Sequence, residues 1–87
     1  MNINPIRREE IMERKIANEH MLYDAAGKMV HVINESAYFI WKRCDGQHTI
    51  EDIVKEASTE SGTSEILIRP DVEQCMAIFR EKGLLQG

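Results

Sequence analysis

The sequence has no long apolar run, few cysteines and no excess of positive charge. No stretch approaches the roughly 20 apolar residues that a membrane-spanning helix needs. Residues 1–10 are charged and include a proline, so we expect no signal peptide and a cytoplasmic protein. The formal net charge of −4 argues against nucleic-acid binding, because basic side chains that contact phosphates supply most of that affinity.

The cysteines and histidines do not form a familiar metal or catalytic pattern. Cys44 and Cys75 lie far apart in the sequence, and without an export signal we expect reduced, buried thiols. Cys44 and His48 are close in sequence, but no second pair completes a tetrahedral set of metal ligands. His31 is expected to be a half-exposed residue of a sheet. No glycine-rich phosphate loop or Ser-His-Asp grouping is present, so we predict no metal, no cofactor and no enzymatic activity.

The order of the predicted elements indicates an α+β fold. A chain of 87 residues has room for one domain. A small antiparallel sheet of two or three strands is followed by a three-helix bundle, an outline that is winged-helix-like. We expect a flexible N-terminal arm over residues 1–10 and a single domain over residues 11–87. The predicted strands are 11–17, 20–24 and 28–33, and the predicted helices are 35–44, 50–61 and 71–82.

Turn and cap residues set the ends of these elements. Asn18 and Gly27 are the residues expected to allow positive φ in the two strand-connecting turns. Asn34 is a predicted N-cap, because its side-chain oxygen can accept an amide of the first helical turn. Thr49 begins a capping box in which Asp replaces the usual Glu or Gln. Gly83 predicts a Schellman-type end for the last helix.

The connection before the last helix is harder to assign. Pro70 suits the first turn of that helix, where its missing amide costs nothing. The apolar residues 66–68 are compatible with a short strand or with an extension that docks on the core. The strand Lys28–Ile33 is an outer strand with few of the usual protections, so an extended peptide could add to it. Residues 66–68 or a second subunit are equally good candidates to cover that edge.

Two stretches together resemble the PqqD family. The first, from Val30, is V-H-V-I-N-E-S-A-Y-F-I-W-K-R-C-D-G-Q-H-T-I-E-D-I-V, and the second, from Asp71, is D-V-E-Q-C-M-A-I-F-R-E-K-G-L-L. The order is a strand, an Asn-Glu-x-Ala segment, a helix, an Asp-Gly turn and a Thr-initiated helix, closed by a helix ending in Gly-Leu-Leu. The resemblance covers Met21 to Leu85. The chain departs from the compact family pattern between Ser58 and Pro70, where the connection looks long.

The resemblance implies a peptide chaperone, also called a RiPP recognition element. Such a protein binds the leader of a ribosomally made precursor peptide and presents it to a maturation enzyme, often a radical S-adenosylmethionine protein, in pyrroloquinoline quinone synthesis or a related pathway. The leader is implied to lie between the third strand and the third helix. The implied contacts are Met29, Val30, His31, Val32 and Ile33 from the strand, and Cys75, Met76, Phe79, Arg80 and Lys82 from the helix. The alternatives are a winged-helix nucleic-acid-binding module and a structural homodimerisation domain.

Overall fold

Three antiparallel strands are followed by three helices, which confirms the predicted α+β class. The structure is a computed structural model, and it describes residues 4–86. Residues 1–3 of the predicted arm and Gly87 lie outside the described residues. The elements are β1 (Ile11–Ile16), β2 (Glu19–Asp24), β3 (Met29–Asn34), α1 (Glu35–Lys42), α2 (Ile50–Ser61) and α3 (Glu65–Glu81). The winged-helix likeness stays a prediction.

The sheet has one face on the helices and one face in solvent. The strand order is β1-β2-β3, with Leu22 of β2 opposite His31 of β3. Leu22 and His31 are buried, whereas Val30 and Val32, which point to the other face, are 48% and 56% exposed. This alternation follows from the period of two along a strand. It places every second residue of β3 toward the helices.

The two hairpin turns use residues other than those predicted to supply positive φ. Ala17 has φ of 56° and Lys28 has φ of 54°, whereas Asn18 and Gly27 do not have positive φ. Gly27 instead lies where a side chain has little room, because a Cβ there would lie 3.0 Å from Oδ2 of Asp24. Its amide donates to Oδ1 of Asp24 at 3.2 Å. The side chain of Asp24 thus holds the turn, and the next residue takes the left-handed conformation.

The predicted helix caps are confirmed. Oδ1 of Asn34 accepts from the amide of Ala37 at 2.8 Å. Thr49 and Asp52 form the reciprocal capping box at the start of α2. At the end of α3 the amide of Leu84 donates to the carbonyl of Phe79 at 2.8 Å, in the Schellman pattern. These local signals therefore determine where α1 and α2 begin and where α3 ends.

The start of α3 differs from the predicted start at Asp71. The helix begins at Glu65, and Pro70 lies inside it rather than in its first turn. The additional turn is held by Arg69, whose guanidinium donates two hydrogen bonds of 2.7 Å to the carboxylate of Glu51 on α2. Ile68 packs partly against the core. Residues 66–68 are therefore helical, and they do not form a strand that covers the edge of β3.

Residues 4–10 of the predicted N-terminal arm pair with two other parts of the chain. The amide of Arg7 donates to the carbonyl of Cys44 at 2.7 Å, and the amide of Gln86 donates to the carbonyl of Ile6 at 2.7 Å. The segment thus runs between the loop after α1 and the C-terminal residues, with isolated bridges to both. Backbone groups of this proline-containing segment therefore find partners on both sides, although the segment is not a regular strand.

The core lies between the sheet and the three helices. Trp41, Phe79 and Leu22 are its largest fully buried side chains. The two cysteines are free thiols; Cys44 is fully buried, whereas Cys75, which the sequence also predicts to be buried, is half-buried. Of the helices in the described part of the chain, none combines the length and apolarity needed to cross a bilayer.

Candidate functional site

A groove of about 730 Å³ lies between β3 and α3. One wall is formed by four consecutive residues of β3, from Val30 to Ile33, and the other by one face of α3. The start of α1 and the end of α2 close the groove from the side of the helices, through Ser36, Ala37 and Glu60. Its volume falls in the range of typical ligand sites, which is about 300–1,000 Å³.

The wall formed by β3 is also an open edge of the sheet. β3 pairs with β2 from Met29 to Asn34, and no other strand of residues 4–86 pairs with it. In an antiparallel pair the backbone groups of successive residues point alternately toward and away from the partner strand. Half of the amides and carbonyls of β3 therefore face the groove side without a strand partner, which is the geometry that accepts an added strand.

The floor and the helical wall of the groove are largely apolar. Val72 and Phe79 are fully buried beneath it, and Ile33 and Cys75 are partly buried along its sides. Ile78 keeps 40% of its surface exposed in the groove. An apolar side chain of a bound strand would cover this surface.

His31 is more buried than the sequence predicts. Its side chain lies on the inner face of the sheet opposite Leu22, and only 8% of the residue is exposed. Its Nε2 has no hydrogen-bond partner among residues 4–86. The ring therefore contributes a buried polar atom to a mostly apolar wall.

The groove contains seven of the ten residues that the family resemblance implies. Met29, Met76 and Arg80 lie outside it. Met76 is 1% exposed and packs in the core, with its Sδ 3.9 Å from the Sγ of Cys44. The residues inside are Val30, His31, Val32, Ile33, Cys75, Phe79 and Lys82. Their part in peptide binding stays a prediction.

Sequence reasoning missed three exposed groove residues on α3, namely Asp71, Gln74 and Ile78. The helical period would have found two of them. Counting back from Lys82 in steps of four, three and four residues gives Ile78, Cys75 and Asp71, which share one helix face. The apolar stripe through Met76 and Phe79 indicates instead the neighbouring face of the helix, which packs in the core.

The groove offers binding surface rather than reactive groups. Burial raises the pKa of the Cys75 thiol, so the thiol is protonated near neutral pH and is a weak nucleophile. Within residues 4–86 no three His, Cys, Asp or Glu side chains are grouped closely enough to hold a metal ion. The arrangement of an open strand edge and an apolar floor is suited to an extended peptide.

Comparisons with known proteins agree with this geometry. Two solved structures share the fold: TbiB1 in complex with the TbiA(beta) leader peptide, with a TM-score of 0.79, and lasso peptide synthetase B1 complexed with the leader peptide, with a TM-score of 0.82. Each is 18% identical to this chain; the first match covers 100% of this chain and 96% of that one, the second 97% and 99%. No curated protein matches the chain. The profile of the family described as coenzyme PQQ synthesis protein D (PqqD) matches residues 19–85, and the chain therefore belongs to the PqqD family.

Proposed function

We propose that this protein is a recognition element for the leader of a ribosomally made precursor peptide. The leader adds to the open edge of β3 as a fourth strand and lies in the groove against α3. Main-chain hydrogen bonds to β3 supply affinity, and the pockets between β3 and α3 select alternate side chains of the leader. The single observation that carries the proposal is the groove itself, with an unpaired strand edge along one wall.

Membership of the PqqD family supports this proposal. The two solved structures of the same fold are complexes with leader peptides. The residues of β3 and α3 that the family resemblance implies as contacts fall mostly in one groove.

The second partner in this proposal is the enzyme that modifies the precursor. A radical S-adenosylmethionine protein is one such enzyme, in pyrroloquinoline quinone synthesis or in another peptide-modification pathway. The present protein presents the leader and contributes no catalytic group. It acts in the cytoplasm, where ribosomal precursor peptides are made.

A homodimer is the second arrangement to consider, because the outer face of the sheet is apolar. Met12, Tyr23 and Val30 form one cross-strand row on this face, and each is at least 40% exposed. Three strands of this length span only about 300 Å² in projection, well below the roughly 800 Å² per partner of a stable interface. Sedimentation at increasing protein concentration tests for this dimer. The nucleic-acid alternative has no support in the comparisons.

The proposal is tested with a pair of matched isoleucine variants on α3. Ile78→Ser removes an exposed apolar side chain from the groove, whereas Ile66→Ser removes one that is 84% exposed and lies outside the groove. Binding of labelled leader peptides, taken from short open reading frames beside the gene, is measured by fluorescence anisotropy. We expect Ile78→Ser to weaken binding about tenfold, because covering a side chain of this size contributes about 1–2 kcal/mol.

The Ile66→Ser variant should bind as the unaltered protein does. Equal losses in both variants would contradict the placement of the peptide in the groove. A failure of every leader peptide to bind the unaltered protein at high concentration would remove the proposed function.

A further inference from the structure

The two ends of the groove have opposite charge. Arg8 contacts residues beside both walls at one end of the groove. Its Nη1 donates to Oδ2 of Asp24, which pairs with Met29 at the start of β3. The same Nη1 donates to the carbonyl of Gly83, the residue after Lys82. Lys82 thus lies at the same end of the groove as the start of β3. Asp71 lies three turns of α3 away, about 16 Å along the helix axis. Glu60 lines the groove as well, and because α2 ends at Ser61 and α3 begins at Glu65, it lies toward the start of α3, away from Lys82.

These three charges are not neutralised within the described residues. Lys82, Asp71 and Glu60 are exposed, and none has an ion-pair partner within 4.0 Å among residues 4–86. Two basic residues near the sheet, by contrast, are paired: Arg8 with Asp24 and Glu10, and Lys15 with Glu35. Among residues 4–86, the groove therefore presents one free cation at one end and two free carboxylates at the other, with apolar surface between them.

On the basis of the proposed function, we infer that the groove selects a leader segment with opposite charges at its two ends. An acidic residue of the leader pairs with Lys82, and a basic residue pairs with Asp71 and Glu60. The apolar residues between them cover Ile33, Cys75 and Ile78. At the rise of about 3.3 Å per residue of an extended strand, the two charges of the leader lie about five residues apart.

Main-chain pairing favours one direction of the bound strand. Parallel pairing is slightly less stable per residue than antiparallel pairing, so we expect the added strand to run antiparallel to β3. In that direction, a peptide with its basic residue before the apolar centre and its acidic residue after it brings these charges to Asp71 and Lys82. The reverse charge order places like charges together, which is unfavourable by a similar amount.

The test uses three synthetic peptides with the same apolar centre and with blocked termini. One carries Asp before and Lys after the centre, the second carries Lys before and Asp after, and the third carries Asn and Gln at these positions. Binding is measured at low salt, since screening weakens exposed ion pairs. We expect the peptide with Lys before and Asp after the centre to bind about fivefold more tightly than the peptide with the reverse order, consistent with the small contribution of each exposed ion pair.

The paired variant Lys82→Glu with Asp71→Lys should invert this preference. The matched control is Arg80→Glu with Glu73→Lys, which makes the same changes at exposed positions of the same helix outside the groove. The control should keep the original preference. Inversion in the first variant alone supports the inference.

Equal affinity for both charge orders, with amide shifts still concentrated in β3, overturns this inference and leaves the proposed function standing. If neither these peptides nor any natural leader binds, both this inference and the proposed function are overturned. The preference is expected to decline as the salt concentration rises.

Discussion

Arg8 and Asp24 form an ion pair at the end of the groove where β3 begins. Nη1 of Arg8 lies 3.1 Å from Oδ2 of Asp24, and the carboxylate side chain is only 8% exposed. The same Nη1 donates to the carbonyl of Gly83 at 2.7 Å. This one side chain therefore connects the N-terminal segment, the second hairpin and the end of α3.

We expect stability to fall in acid partly through Asp24. The amide of Gly27 first, and then Arg8, lower the pKa of this carboxyl below its ordinary value of 3.8. Because the folded pKa is depressed, its contribution is fully present above about pH 4 and is lost as the pH falls through the folded pKa. Urea unfolding between pH 7 and pH 3 measures this loss. Asp24→Asn should unfold more easily at pH 7 and show a shallower decline toward pH 3; a decline of unchanged slope would contradict the assignment.

The contribution of the loop between α1 and α2 to stability should have the opposite pH dependence. Nδ1 of His48 lies 2.9 Å from Oδ1 of Asp45, and its Nε2 lies 2.8 Å from Oε2 of Glu56. The hydrogen bond to Asp45, followed by the charge of Asp45 and Glu56, raises the pKa of His48 above 6.5, and the pKa of Asp45 falls to about 2.

This contribution to stability is fully present below about pH 6.5 and is lost as the pH rises through the folded pKa of His48. Thermal unfolding at pH 6 and at pH 8.5 should show the difference. His48→Gln should unfold with nearly the same midpoint at both pH values. A pH response that survives this substitution would exclude His48 as its source.

The first hairpin turn can be improved by a single substitution. Ala17 holds φ at 56°, a conformation in which a Cβ is unfavourable. Ala17→Gly should therefore raise the free energy of unfolding by about 0.5–1 kcal/mol, after allowance for the greater freedom of glycine in the unfolded chain. Ala25→Gly, in the second turn at a residue without positive φ, is the matched control and should lower it. Destabilisation by both substitutions would contradict the strain at Ala17.

Cys75 can report directly on occupation of the groove. Burial raises the pKa of Cys44 to about 12, and this residue is fully buried, whereas Cys75 is half-buried and lines the groove. We expect Cys75 to react with a thiol reagent well before Cys44 and bound leader peptide to slow that reaction. Cys75→Ser should abolish the fast phase. Labelling of Cys75 at an unchanged rate under saturating peptide would place the peptide elsewhere.

Local signals in the sequence predict much of this fold. Asn34, Thr49 and Gly83 define element ends because each satisfies backbone groups within a few residues of itself. The sequence also predicts β3 as an outer strand, because a small meander must end in an edge strand. These features depend on neighbours along the chain, and for that reason they can be read without tertiary structure.

Other features depend on contacts between distant residues. α3 extends back to Glu65 because Arg69 pairs with Glu51 and Ile68 packs on the core. The local sequence on either side of Pro70 indicates neither contact. Residues 4–10 are held by backbone groups of the loop after α1 and of the C-terminus. Which residues of α3 face the groove depends on how the helix is rotated about its axis. In the structure, this rotation places Met76 in the core and Ile78 in the groove.

Hydrogen exchange of the β3 amides shows whether a leader peptide adds to β3 as a strand. Exchange is followed by NMR in the free protein and in the presence of a tightly bound leader peptide. Every second amide from Met29 to Asn34 already faces β2, and the amides between them face the open edge. We expect the peptide to protect this second set and to leave the first set unchanged. Tight binding with no new protection anywhere in β3 would contradict this expectation.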